Sequence, residues 1–186
     1  MRMKKDKGFS LIELVVVIAI MVILTLGISI GISALSNREA KEALQMIQGQ
    51  LTYTQSYAMS KTIAYGEIEQ RDDGYYYVLT YGKGERRKIS EKKLCSNDCQ
   101  ILCKTTSEDA GTPIDEEHPC ILSFSKSSGS FLPMIDKVEG DAFVYKSKTG
   151  ENGIKSDSYC EEILITRGNY SGKITLYPKT GKCVVE

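Results

Sequence analysis

The 186-residue chain predicts an α+β fold, one long helix followed by a series of antiparallel strands. Two observations carry this reading. Apolar residues run without a charge over 14–35 and then recur at helical spacing to about residue 61. Beyond that point the period shortens, and β-branched and aromatic runs alternate with turns rich in Gly, Asp and Asn. There is neither a fixed-period internal repeat nor a composition break that would mark a second domain.

The first stretch is basic: Arg2, Lys4, Lys5 and Lys7 stand against Asp6 alone. A basic start ahead of an apolar run reads as an export signal. An ordinary signal peptide is cut after its apolar region, whereas here the cut falls before it and the apolar segment stays with the mature chain. Residues 14–35 would form a helix about 33 Å long, against about 30 Å of hydrocarbon in a bilayer. Only Thr25, Ser29 and Ser33 interrupt it with polar side chains, whose hydroxyls can bond back to the helix. Positive charge before the span keeps the N-terminus cytoplasmic and sends the rest outside. Gly27 and Gly31 form a small-xxx-small pair that lets helices approach closely. Glu13 is the awkward residue, because a carboxylate at the edge of such a span costs about 2 kcal/mol or more without a partner.

Helical character continues beyond the span. Ala40, Leu44, Ile47, Leu51, Thr54 and Ala58 recur at steps of three and four, while Arg38, Glu39, Lys41, Glu42, Gln45 and Gln48 occupy the other surface. This predicts an amphipathic helix over about 37–61, and with the span one helix of about 50 residues. Residues 62–69 and 74–81 then read as a hairpin turning at Asp73-Gly74, with a third strand over 86–90. Residues 91–119 read as an irregular insertion. Another hairpin is expected over 120–125 and 129–133, a short strand over 141–145, a loop over 148–153, and strands over 162–166, 173–177 and 183–185.

Six cysteines, Cys95, Cys99, Cys103, Cys120, Cys160 and Cys183, all lie outside the apolar segment. In an exported domain their even number predicts disulfides, with 15 complete pairings open. The competing reading is a metal site drawn from Cys95, Cys99, Cys103, His118 and Cys120, but the spacing is looser than the paired cysteines of structural zinc sites. No metal and no cofactor is expected on this reading.

Charge excludes one class. The chain carries 24 basic and 24 acidic side chains, and 20 against 23 beyond residue 8, so nothing recruits nucleic acid over the whole surface. A local strip of Tyr75, Tyr76, Tyr77, Tyr81, Lys83, Arg86, Arg87 and Lys88 has the composition of a DNA contact. Strand alternation puts Tyr75 and Tyr77 on one face and Tyr76 on the other, which favours packing for at least one face. An enzyme is not expected: His118 is the sole histidine, no nucleophile–base set surrounds it, and Gly82-Lys83-Gly84 lacks the rest of a phosphate loop.

Gly8-Phe9-Ser10-Leu11-Ile12-Glu13, behind a basic leader and ahead of an unbroken apolar helix, resembles the cleavage and methylation motif of type IV prepilins and type II secretion pseudopilins. The resemblance implies cleavage after Gly8 by a prepilin peptidase that also N-methylates Phe9. It implies that Glu13 meets the new amino group of Phe9 on a neighbouring subunit during assembly. Many pilins carry Pro at the position held here by Ile30, so the usual kink is not expected. Residues 50–62 and the closing Ile-Thr-Leu-Tyr-Pro-Lys-Thr-Gly-Lys over 174–182 resemble the H-type minor pseudopilins, while residues 85–160 match neither. The implied organisation is a cleaved leader (1–8), a transmembrane and assembly helix (9–36), and a globular pilin-like domain (37–186) with a cysteine-containing insertion over 91–120. The implied function is a filament subunit in the cytoplasmic membrane before assembly and in an extracellular or periplasmic filament afterwards. Its partners would be the peptidase, other pilin subunits and the pilus assembly platform, with DNA left open. The alternative is a membrane-anchored extracellular binding or enzymatic domain.

Overall fold

The computed structural model describes residues 11–60, 63–82, 86–105, 110–140, 142–149 and 155–186, with side chains omitted at 24–36, 147–149 and 155–157. Gly8 and Phe9, Lys83 of the aromatic–basic strip and most of the expected loop over 148–153 therefore lie outside the described residues, and Gly27 and Gly31 are described by backbone alone.

The chain divides into two units, Met1–Ser36 and Asn37–Glu186. Helix α1 spans Leu11–Ser60 and carries Glu13 in its first turn. Within the first unit, the described side chains of residues 11–23 are exposed, among them Leu14, Val15, Val16, Ile18, Met21 and Ile23. Among the described residues no helix is long and apolar enough to cross a membrane, and the expected span includes residues 24–35, whose side chains are not described.

The second unit builds its core on the rest of α1. Ala40, Ala43, Leu44, Ile47, Leu51, Thr54 and Ala58 are buried, the stripe that three- and four-residue spacing places on one face. Two antiparallel sheets receive that stripe. The chain first forms β1 (Ala64–Arg71), β2 (Gly74–Tyr81) and β3 (Arg87–Cys95). It continues through β4 (Gln100–Lys104), β5 (Thr112–Pro113), β6 (Cys120–Ser123), β7 (Ile135–Glu139) and β8 (Ala142–Tyr145). It closes with β9 (Ser147–Thr149), β10 (Lys155–Asp157), β11 (Glu162–Arg167), β12 (Tyr170–Tyr177) and β13 (Lys182–Val185). The six-stranded sheet has the order β3-β2-β1-β6-β7-β8 and the five-stranded sheet β13-β12-β11-β4-β5, with β9 and β10 paired separately.

The β1–β2 hairpin pairs Arg71 with Gly74, so Asp72 and Asp73 form the turn, one residue earlier than the sequence suggests. Residues 91–105 are not an irregular insertion. Five of them extend β3, and β4 lies inside the five-stranded sheet, where Cys103 pairs with Ile163 of β11. The short alternating stretch Gln-Ile-Leu-Cys-Lys was hidden by its cysteine-rich, polar flanks. Residues 129–133 meet 120–125 through the Phe124–Phe131 bridge and backbone bonds from Ser125 N–H to Ser130 and from Leu132 N–H to Ser123, and β7 supplies a further strand that pairs with β6 and β8.

Two glycines let the helix approach. A Cβ on Gly66 would lie 1.8 Å from the Tyr77 hydroxyl oxygen, and one on Gly172 would lie 2.5 Å from Leu44 Cδ1. Tyr77 is thereby buried beneath α1, where its hydroxyl and Thr54 Oγ1 are 2.7 Å apart. A smaller cluster of Tyr65, Ile121 and Ile135 packs on the opposite face of the six-stranded sheet, as the two-residue period requires.

Candidate functional site

Half of the motif read from the sequence, Gly8 to Ser10, precedes the described residues. Glu13, its last member, lies one residue from Leu14 at the start of the exposed apolar stretch of α1.

The chemistry-bearing side chains of the second unit gather around the cysteines. All six are free in this structure, with no sulfur–sulfur bond between any two of them. Their grouping also differs from the metal set read from sequence. Cys95, ending β3, and Cys99, just before β4, form one pair that interacts through the sulfurs. That hydrogen bond, ahead of burial, pushes the Cys95 thiol up and draws Cys99 down. Cys183 stands apart on β13, where burial raises its thiol and Gln48 Nε2 donates to its carbonyl at 3.0 Å.

The remaining three converge. Cys103 is carried inward by the alternation of β4, Cys120 opens β6, and Cys160 sits ahead of β11. Their sulfurs all lie within 4.8 Å of one another, with Cys103 Sγ 2.7 Å from Cys160 Sγ, and each residue is buried. Met134 Sδ lies 3.8 Å from Cys103 Sγ. Backbone hydrogen bonds fix the surroundings: Met134 N–H donates to Ser158 and Lys146 N–H to Met134, each at 2.7 Å. A cavity of about 70 Å³ adjoins the cluster, lined by Cys103, Cys120, Met134, Lys146 and His118 among others. Burial pushes the Cys160 thiol up, while hydrogen bonds from Cys103 and Cys160 draw Cys120 down. Sequence spacing missed Cys160 because sheet pairing, rather than local chain, brings it in.

His118 is at the surface, with Nδ1 2.9 Å from Asp115 Oδ1. That same carboxylate oxygen accepts the backbone N–H groups of Glu117 and His118, and the His118 side chain leads the causes that draw Asp115 below the usual carboxylate range. The aromatic–basic strip is largely committed to packing and ion pairs. Tyr75 and Tyr77 are buried, Tyr76 donates to Asp73 Oδ2 at 2.8 Å, and Arg71 lies 4.5 Å above the Tyr76 ring. Glu91 pairs with both Arg71 and Lys88, and Arg86 donates to the Val138 carbonyl at 2.5 Å.

One constellation was not visible in the sequence. Arg167, at the end of β11 and mostly buried, forms ion pairs with Glu39 of α1 and with Asp98, and Glu39 also accepts the Ser96 backbone N–H at 2.7 Å.

Residues 3–29 match the family model described as the prokaryotic N-terminal methylation motif. No curated protein and no solved structure matches the chain.

Proposed function

We propose that this chain, which carries the type IV pilin and pseudopilin signature over residues 3–29, is a structural subunit of a type IV pilus or type II secretion-like filament. The observation that carries the reading is the juxtaposition of that signature with an apolar helix whose described residues 11–23 are exposed. Apolar side chains so exposed need a non-aqueous neighbour, which lipid supplies before assembly and other helices supply within a filament.

On this reading the chain enters the cytoplasmic membrane as a precursor. A prepilin peptidase removes residues 1–8 after Gly8 and methylates the amino group of Phe9. That amine is four residues from Glu13, one helical turn away on the same chain and equally placed to meet Glu13 of an incoming subunit. Pairing a carboxylate with an ammonium in a low-dielectric helix bundle offsets the desolvation of both. Gly27 and Gly31 let neighbouring helices pack closely. The second unit, residues 37–186, supplies the surface outside the cytoplasm. Likeness at residues 50–62 and 174–182 supports a place among H-type minor subunits.

Intact-mass spectrometry of the chain recovered from its native membrane tests the reading. The expected mass lacks residues 1–8 and carries one added methyl group. A full-length, unmethylated chain overturns it and leaves a simple membrane anchor.

A further inference from the structure

We propose that Cys103, Cys120 and Cys160 form a buried thiolate site for one soft d10 cation, Zn(II) or Cu(I), with the Met134 thioether as a fourth sulfur. The number of sulfurs is the first argument. A disulfide joins two sulfurs at about 2.0 Å, and it leaves unexplained why a third buried cysteine from a different segment enters the same space. A single cation uses all three. With metal–sulfur bonds of about 2.3 Å, sulfurs around one ion stand about 4 Å apart. Every sulfur of the cluster already lies within 4.8 Å of the others, and the closest pair, Cys103 and Cys160 at 2.7 Å, needs to part by about 1 Å to share one ion.

Ligand character is the second argument. Three cysteines and a methionine make an all-sulfur set, and thiolate and thioether ligands favour Cu(I) and Zn(II) over magnesium, calcium or manganese. The cysteines are only 2–3 % exposed, the closed environment of a structural centre rather than of a catalytic one. Lys146 lines the adjoining cavity and places a cation near the excess negative charge that three thiolates would leave. Binding releases the three thiol protons to solvent as three metal–sulfur bonds form, and no electron is transferred.

Topology gives the site a purpose. Cys103 belongs to the five-stranded sheet and Cys120 to the six-stranded sheet, while Cys160 enters β11 next to β4. A cation here would tie a strand of each sheet to the entry of β11. Because it binds the folded state, it raises stability by mass action.

The full-length chain, reduced and kept in detergent micelles without oxygen, is titrated separately with Zn(II) and with Cu(I). The expected result is one cation per chain, release of protons, a higher unfolding temperature, and an X-ray absorption spectrum fitted by a sulfur-only shell at about 2.3 Å. Cys120→Ala and Cys160→Ala, checked for folding by circular dichroism, should each weaken binding at least about tenfold. The Cys95→Ser/Cys99→Ser/Cys183→Ser variant should bind unchanged. Lack of stoichiometric binding by the wild-type chain overturns the proposal, as does a shell containing nitrogen or oxygen. So does binding that persists in the Cys120 and Cys160 variants, which would assign the metal to the other cysteines.

Discussion

At the scale of single residues, the pair of Thr54 and Tyr77 shows how the helix is registered on the sheet. Tyr77 is almost wholly buried, and its hydroxyl meets a threonine hydroxyl that also donates to the Gln50 carbonyl at 2.8 Å. Tyr77→Phe should therefore cost only about 1 kcal/mol, the net worth of one hydrogen bond. Gly66→Ala should cost more, about 1–3 kcal/mol, because its Cβ would overlap the Tyr77 hydroxyl at 1.8 Å. Combining the two should give less than the summed loss, since Tyr77→Phe removes the nearest clashing atom. Urea unfolding followed by tyrosine fluorescence checks all three, in a chain with 11 tyrosines and no tryptophan. A second residue, Glu91, sets a pH dependence. Its hydrogen bonds with Arg71, then Lys88, lower its pKa from 4.5 to about 2. A lowered carboxylate pKa means that the ion pairs contribute fully above 4.5 and fade as pH falls through about 2. Carbon-13 NMR titration should find that midpoint in the wild type and a clearly higher one in Arg71→Gln.

Elements are joined by side chains that no local pattern announces. Glu39 sits on the helix beside Ala40, and its carboxylate receives both the Ser96 backbone N–H and the Arg167 guanidinium. One helix residue thus ties α1 to the β3–β4 turn and to the end of β11. Glu39→Gln should destabilise the domain by about 1.5–3 kcal/mol, the range for a hydrogen bond to a charged group, because Arg167 is left mostly buried beside Asp98 alone. A double-mutant cycle with Arg167→Met should show coupling, and additive losses would mean that the pair acts independently. The helix face and the β1–β2 hairpin were legible in the sequence because each follows a local period: every residue of the expected stripe, Ala40 to Ala58, is buried. The strand β4 was not, since five residues between cysteine-rich flanks give too short a signal, and its place is set by pairing with β11 some 60 residues away. The cysteine cluster was illegible for the same reason: Cys160 and Cys103 are 57 positions apart. Glu39 read as a solvated helix residue, because charge pattern alone does not tell which polar side chain faces a neighbour.

For the whole molecule, the question is which part of the chain drives assembly and which part only travels with it. The signature ends within the helix, at residue 29, and the domain from Asn37 onward closes its own core around the second part of α1. Substitutions before residue 37 should therefore alter processing and polymerisation while leaving the domain folded. Two variants separate the steps. Gly8→Leu places a bulky side chain at the cleavage position and should leave the mass of the full chain unchanged, with no methyl group. Glu13→Val removes a charge from the apolar boundary, which makes insertion easier rather than harder. It should be cleaved and methylated normally, so its mass falls as in the wild type. On the proposed reading it lacks the carboxylate that would pair with the methylated amine of a neighbouring subunit, and its recovery in sheared filaments should drop at least about tenfold, the effect of losing about 1.4 kcal/mol per contact. Glu13→Asp keeps the charge on a shorter arm and should recover part of that loss. Filament recovery of Glu13→Val equal to wild type would remove Glu13 from assembly and leave apolar packing of the helix as the driving contact.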